Sequence, residues 1–73
     1  LIEKKYTDAQ ITWNGKPWVA DIDDRNIEIS LYFFLGETMA VTPNLGDAVV
    51  WRGKTYVVEG VRKFGEVIGR RIV

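Results

Sequence analysis

The chain has no cysteine and no histidine. The first absence excludes a disulfide framework, and the two together exclude the usual zinc sites. They also remove the commonest nucleophile and the commonest general base. Serine occurs once, as Ser30, inside a segment that reads as a strand. Net charge is absent too: ten acids balance ten bases over 73 residues. That balance speaks against a protein whose main task is to neutralise a phosphate backbone. No apolar run approaches the roughly 20 residues of a membrane span. The first ten residues, LIEKKYTDAQ, lack the apolar core of a signal peptide. Leu1 in place of an initiating methionine fits processing, trimming or a piece of a longer product. The absence of cysteine suits a cytosolic origin.

The remaining routes to catalysis are thin. Asp23-Asp24 resembles an acid pair, but neighbours on a strand point to opposite faces, so the pair reads as a turn. Gly53-Lys54-Thr55 lacks the upstream glycine of a phosphate loop, and no GxGxxG is present. The expectation is a protein that is not an enzyme, holds no metal or cofactor and does not enter a membrane.

What is present is a phrase stated twice. Residues 11–21 read ITWNGKPWVAD and residues 49–59 read VVWRGKTYVVE, an offset of 38 positions. Trp13, Gly15, Lys16 and Val19 recur as Trp51, Gly53, Lys54 and Val57. Each copy is an apolar run, a tight turn with glycine and a second apolar run, which is the pattern of a β-hairpin. Asn14-Gly15 is the strongest such signal, since a type I′ turn needs positive φ at both central residues. Pro17 cannot donate to a ladder, so its stretch belongs at an edge or a bulge.

Strand signals continue along the chain. Asp23-Asp24-Arg25-Asn26 reads as a turn. Ile27–Leu35 is the longest strand candidate, with Ile27, Ile29, Leu31, Phe33 and Leu35 on one face and Glu28, Ser30, Tyr32 and Phe34 on the other. That face should be buried with Val49, Trp51, Tyr56 and Val58. Thr42–Asp47 reads as a loop, Phe64-Gly65-Glu66 as a turn, and Val67–Val73 as a last strand with a bulge at Gly69. Residues 1–9 form a candidate terminal arm or a single helical turn. The fold expectation is all-β: one domain over residues 1–73, a small barrel or sandwich of five to six short antiparallel strands. Three Trp, three Tyr and three Phe give such a chain a heavy aromatic load, to be buried in a core or at an interface.

Two readings of the surface follow. Trp13, Trp18, Trp51 and Tyr56, rimmed by Lys16, Arg52 and Lys54, form a candidate stacking platform for single-stranded nucleic acid; the plainer reading buries the rings as cross-strand pairs. The second starts from Tyr32-Phe33-Phe34-Leu35, four bulky residues that cannot all face one small core. Tyr32, Phe34, Leu35 and Met39, with the Thr42–Gly46 loop, are therefore candidate interface residues. A sandwich layer within the same chain is the alternative cover. Asp23 and Asp24 lie in an acidic stretch, and Arg70 and Arg71 in a basic terminus. They read as solvated strand ends or as the two poles of a head-to-tail contact between identical subunits.

The stretch Gly46-Asp47-Ala48-Val49-Val50-Trp51-Arg52-Gly53-Lys54-Thr55-Tyr56-Val57-Val58-Glu59-Gly60-Val61, followed by a charged segment, a glycine and an apolar strand, resembles the C-terminal half of head–tail joining proteins of tailed bacteriophages. Members commonly end with a Gly-Asp-x-Val strand, a turn with glycine, a Tyr-x-Val-x-x-Val strand, then a loop and a closing strand. The specific match covers about the last third of the chain, while the first half matches in outline only. The N-terminal helical segment and long flexible loop of those proteins have no clear counterpart here. The resemblance implies a connector or stopper subunit of the virion, assembled as a homo-oligomeric ring at the portal vertex during growth in the host cytoplasm. It implies portal or adaptor and tail proteins as partners, with DNA close by, and carries over no catalytic residue. The alternative from the residues themselves is an SH3-like binding module for a peptide or nucleic acid.

Overall fold

The structure is a computed structural model that describes residues 3–33, 43–62 and 65–72. Six strands follow one another: β1 (Lys4–Trp13), β2 (Lys16–Asp24), β3 (Glu28–Phe33), β4 (Ala48–Trp51), β5 (Lys54–Val61) and β6 (Glu66–Arg71). They close into an antiparallel barrel in the order β1-β2-β3-β6-β5-β4. Closure gives each strand a neighbour on both sides and so removes the edges that an open sheet exposes.

Both repeated phrases are hairpins. Asn14 and Gly15 have φ of 50° and 82°, and Arg52 and Gly53 have 53° and 74°. These are the two left-handed residues that a two-residue turn requires when it must match the twist of its strands. Pro17 faces Thr12 on β1 and lies beyond the last described β2–β3 pair, Ala20 with Phe33. The pair next to such a turn, Trp13 with Lys16, exchanges hydrogen bonds and the following pair does not. Proline therefore occupies a position where β1 asks for no N–H.

One face of every strand fills the barrel. Ile11, Ala20, Ile22, Ile29, Leu31, Val49, Trp51, Tyr56, Val58 and Val67 form a single buried cluster. Phe33, Trp13 and Trp18 pack against it while half-buried. The expected core is thus present except at Phe33, which is only half-buried at the end of β3, and at Ile27, which is 41% exposed because it lies in the turn before β3.

Several other expectations need correction. Residues 4–9 are neither arm nor helical turn: they are the first part of β1, paired with β2 from Lys4↔Asp24 onward. The sequence pattern hides this because β1 carries a bulge. Tyr6 faces Ile22 and Ala9 faces Ala20, so Thr7 and Asp8 share one partner position. Asp8 sits at φ 54°, and its amide donates to Asp21 Oδ1 at 2.9 Å. Asp23 and Asp24 are not the turn either, since β2 runs through them against Ser30 and Ile29. The turn is Arg25–Ile27, started by the Asn26 amide donating to Asp24 Oδ1 at 2.8 Å. Gly69 is no bulge. The extra residue is Glu59 on the partner strand, between Val58↔Gly69 and Gly60↔Ile68. Leu35, Met39 and Phe64 lie outside the described residues, as does the end of the predicted strand beyond Phe33.

Candidate interaction surface

Alternation fixes what the barrel shows to the outside. Ile11, Trp18, Ala20, Val49, Tyr56 and Val58 point inward, so the residues between them point outward. On β2, β1, β4 and β5 these are Pro17 and Val19, Gln10 and Thr12, Ala48 and Val50, and Thr55 and Val57. None of the eight is charged, in a chain that is 27% charged. Val19 and Val50 are 40% and 37% exposed. A shallow groove of about 560 Å³ crosses this face and has Trp18 in its lining. The Trp18 indole N–H is buried and bonds to no described residue.

The rest of the outer surface, over β3 and β6 and the adjoining ends of β1, β2 and β5, is charged and already paired within the chain. Arg70 Nε donates to both carboxylate oxygens of Glu59, at 3.1 and 2.9 Å, and its Nη2 lies 4.0 Å from Glu28. Lys5 Nζ is 3.5 Å from Asp23, and Arg25 Nη2 is 2.8 Å from Glu3. Arg25 also donates to the buried Ser30 hydroxyl at 2.6 Å. The Tyr32 hydroxyl donates to Glu66 at 3.1 Å; burial, then that bond, push its pKa above the ordinary phenol value.

The predicted interface residues fall here. Tyr32 belongs to the charged face, and Asp23 and Arg70 have partners on it. Asp24 and Arg71 both act on the Tyr56 hydroxyl, whose pKa burial raises. The acidic and basic pairs therefore sit at one end of the same barrel, on strands either side of β3, and not at two poles. Phe34, Leu35 and Met39 lie outside the described residues. The proposed stacking platform does not form as a surface. Trp51 and Tyr56 are 5% and 1% exposed, and Trp13 meets Trp18 edge-on at 5.4 Å and 87°. Of the rim, Arg52 stacks over Tyr6 at 4.5 Å and over Trp51 at 5.0 Å, capping the core rings from outside.

Sequence reasoning missed the uncharged face because it searched for large aromatic residues. The signal was available as every second position of the repeated phrase, where small apolar and hydroxyl residues replace charges.

One end of that face is held by a polar clasp. Trp13 Nε1 donates to Asp47 Oδ2 at 2.8 Å, and the Asn44 amide donates to the same oxygen at 2.9 Å. Asn14 completes it by accepting from the Ala48 amide at 3.0 Å. The Asn44 bond, then the Trp13 bond, hold Asp47 below the ordinary carboxylate range. A depressed acid stabilises the fold fully above its unfolded pKa of about 4 and loses that contribution as pH falls through the lower folded value. The Trp13 indole N–H resonance should therefore move in an acid step below about pH 4. Asp47→Asn, which keeps an acceptor but cannot titrate, should abolish the step; an unchanged step in that variant would assign it elsewhere. Asp47→Ala should cost about 1–2 kcal/mol, less than a fully buried charged bond because water screens the site.

No family model, no curated protein and no solved structure matches this chain.

Proposed function

We propose that this protein is an assembly subunit that acts by contact with identical copies, of the head–tail joining kind that its second hairpin resembles. In that reading it forms a ring between portal or adaptor and tail proteins in a phage virion. The observation that carries the assembly part is the uncharged outer patch formed by Gln10, Thr12, Pro17, Val19, Ala48, Val50, Thr55 and Val57. Interface centres are depleted of charge relative to the rest of a surface, while solvated barrel faces usually carry it. The charged face, with its internal ion pairs, suits a rim or a solvent side, where such pairs contribute little to binding. The phage assignment within that reading is supported by the Gly46–Val61 resemblance.

The test is molecular mass in solution for the full chain, alone and with portal and tail candidates, beside the variants Val19→Asp and Val50→Asp. Both positions are on the outside, so each variant should keep its stability to within about 0.5 kcal/mol. Each should lose assembly, because a charge placed in an interface centre is left unpaired. Normal assembly with aspartate at both positions would sink the reading.

The groove beside Trp18 supports a second reading, a module that lays an extended peptide along its apolar lining. Saturable peptide binding by a chain that stays monomeric would favour it.

A further inference from the structure

The offset of 38 positions extends far beyond the repeated phrase. Shifted by 38, the β3 range 28–33 becomes 66–71, the range of β6. The pairs Gln10↔Val19, Ile11↔Trp18, Thr12↔Pro17 and Trp13↔Lys16 become Ala48↔Val57, Val49↔Tyr56, Val50↔Thr55 and Trp51↔Lys54, and all four occur in the structure. Burial follows the same rule: Ile11 and Val49, Ala20 and Val58, Ile29 and Val67, Ser30 and Ile68 are buried pairwise. The barrel is two three-stranded meanders, β1–β3 and β4–β6, related by a local two-fold axis. At each seam a residue faces its own counterpart 38 positions away, Thr12↔Val50 on one side and Ser30↔Ile68 on the other. One departure is the β5–β6 ladder, which is displaced by two residues relative to β2–β3 at Val58↔Gly69. The displacement of two keeps Tyr56, Val57 and Val58 on the faces of their counterparts; past the Glu59 bulge it falls to one, at Gly60↔Ile68 and Val61↔Val67, and those two residues change face.

The seams therefore have the form of an isologous interface between two subunits, held in one chain by a single connection. Within each half the links are two residues at 14–15, three at 25–27, two at 52–53 and four at 62–65. Between the halves it is fourteen residues, 34–47. The β1–β4 seam is also short, with two described pairs, Thr12↔Val50 and Trp13↔Val49. A half on its own has one apolar face and two open edges, so its free energy is lowest when another half covers it. Any second copy of the chain offers the same cover.

We propose that this protein exchanges half-barrels with a second copy of itself, so that β1–β3 of each chain closes a barrel with β4–β6 of the other. Every strand pair and core contact of the monomer is reproduced in such a dimer, so the two forms differ in the connection and in mass action. Residues 44–47 stay with β5 through the Gly46 N–Val58 O and Val58 N–Asp47 O bonds, which leaves ten connecting residues, 34–43; extended, they span up to about 35 Å, on a par with the 35 Å long axis of the molecule. The proposal rests on the seams and the link lengths, not on the uncharged face. Each barrel of the exchanged dimer keeps that face.

The chain has no native cysteine, which makes a disulfide test clean. Facing residues of antiparallel strands lie about 4.5–5.5 Å apart at Cα, within disulfide range. Two double variants of the full chain each place one cysteine in each half across a seam: Thr12→Cys with Val50→Cys, and Glu28→Cys with Arg70→Cys. Each is unfolded under reducing conditions, refolded at low and at high protein concentration, oxidised, and separated by size. After refolding at high concentration, a dimer fraction should run at twice the chain mass on a denaturing gel without reductant and collapse to single chains on reduction. Dilute refolding should give intrachain cross-links. If high-concentration samples contain monomers only, or dimers that run as single chains on that gel, exchange is overturned. The latter result would leave the ring reading standing, since it describes whole barrels meeting through their outer faces. The Glu28/Arg70 pair lies away from the uncharged face and carries the test if the Thr12/Val50 variant fails to fold.

Discussion

Leu31→Ala is expected to lower stability by about 2–5 kcal/mol. Leu31 is fully buried, in the middle of β3, with Ile22 on one side and Val67 on the other. Truncating its side chain to a methyl forfeits the transfer free energy of three carbons. It also leaves a cavity, because a closed barrel cannot slide a strand inward without breaking a ladder. A domain of this length has a stability on the order of 4–11 kcal/mol at usual values per residue. The variant therefore loses a large share of it, and a urea or thermal melt should show this directly. A near-neutral midpoint would mean that the inward face of β3 has been misassigned.

Gly69→Val should also be strongly destabilising, by about 1–3 kcal/mol or more. A Cβ at this position would stand 3.3 Å from Tyr56 Cβ, 3.5 Å from Ile29 Cγ1 and 3.6 Å from Leu31 Cδ1. The first contact is with the stem of a fully buried ring, which has little freedom to retreat. The two γ-methyl groups of valine would then have to enter the space that Leu31 and Ile29 occupy. Gly69 is the counterpart of Leu31 at the 38-residue offset, so the two positions divide one volume: the leucine of one half fills what the glycine of the other leaves open. The double variant Leu31→Ala with Gly69→Val should consequently be less destabilised than the sum of its parts. The coupling should remain incomplete, because the Tyr56 contact is untouched by the leucine deletion. Strict additivity of the two losses in a double-mutant cycle would show that the side chains do not share space.

These two positions also show where sequence reading reaches and where it stops. Leu31 was legible because alternation over Ile29, Leu31 and Phe33 is a local property. Gly69 was read as a bulge because a lone glycine in a strand has several local meanings. Which strand of a pair takes the extra residue depends on the whole circumference. With β3 holding β6 on one side, it is Glu59 of β5 that steps out of the ladder. Asp23 and Asp24 failed in the same way. Their composition favours a turn, but pairing with Ser30 and Ile29 outweighs that propensity and moves the turn to Arg25–Ile27. The bulge at Thr7 and Asp8 reverses the alternation of β1, so its first half carried no readable period.

By itself the sequence determined the two hairpins, since asparagine or arginine followed by glycine between apolar runs admits few other backbone paths. It determined the inward faces of β3, β4 and β5, since a period of two in apolar residues has one buried side. The absence of cysteine and histidine determined that these residues offer no disulfide, thiolate or imidazole. Only the tertiary structure decided that the sheet closes, that the two hairpins meet edge to edge across a local two-fold axis, and that the hairpin halves of four strands together present an uncharged outer patch. Each of those facts depends on pairs of residues about 30 to 40 positions apart. Local propensity carries no information at that range, and the burial gained by closing one shared core selects the register.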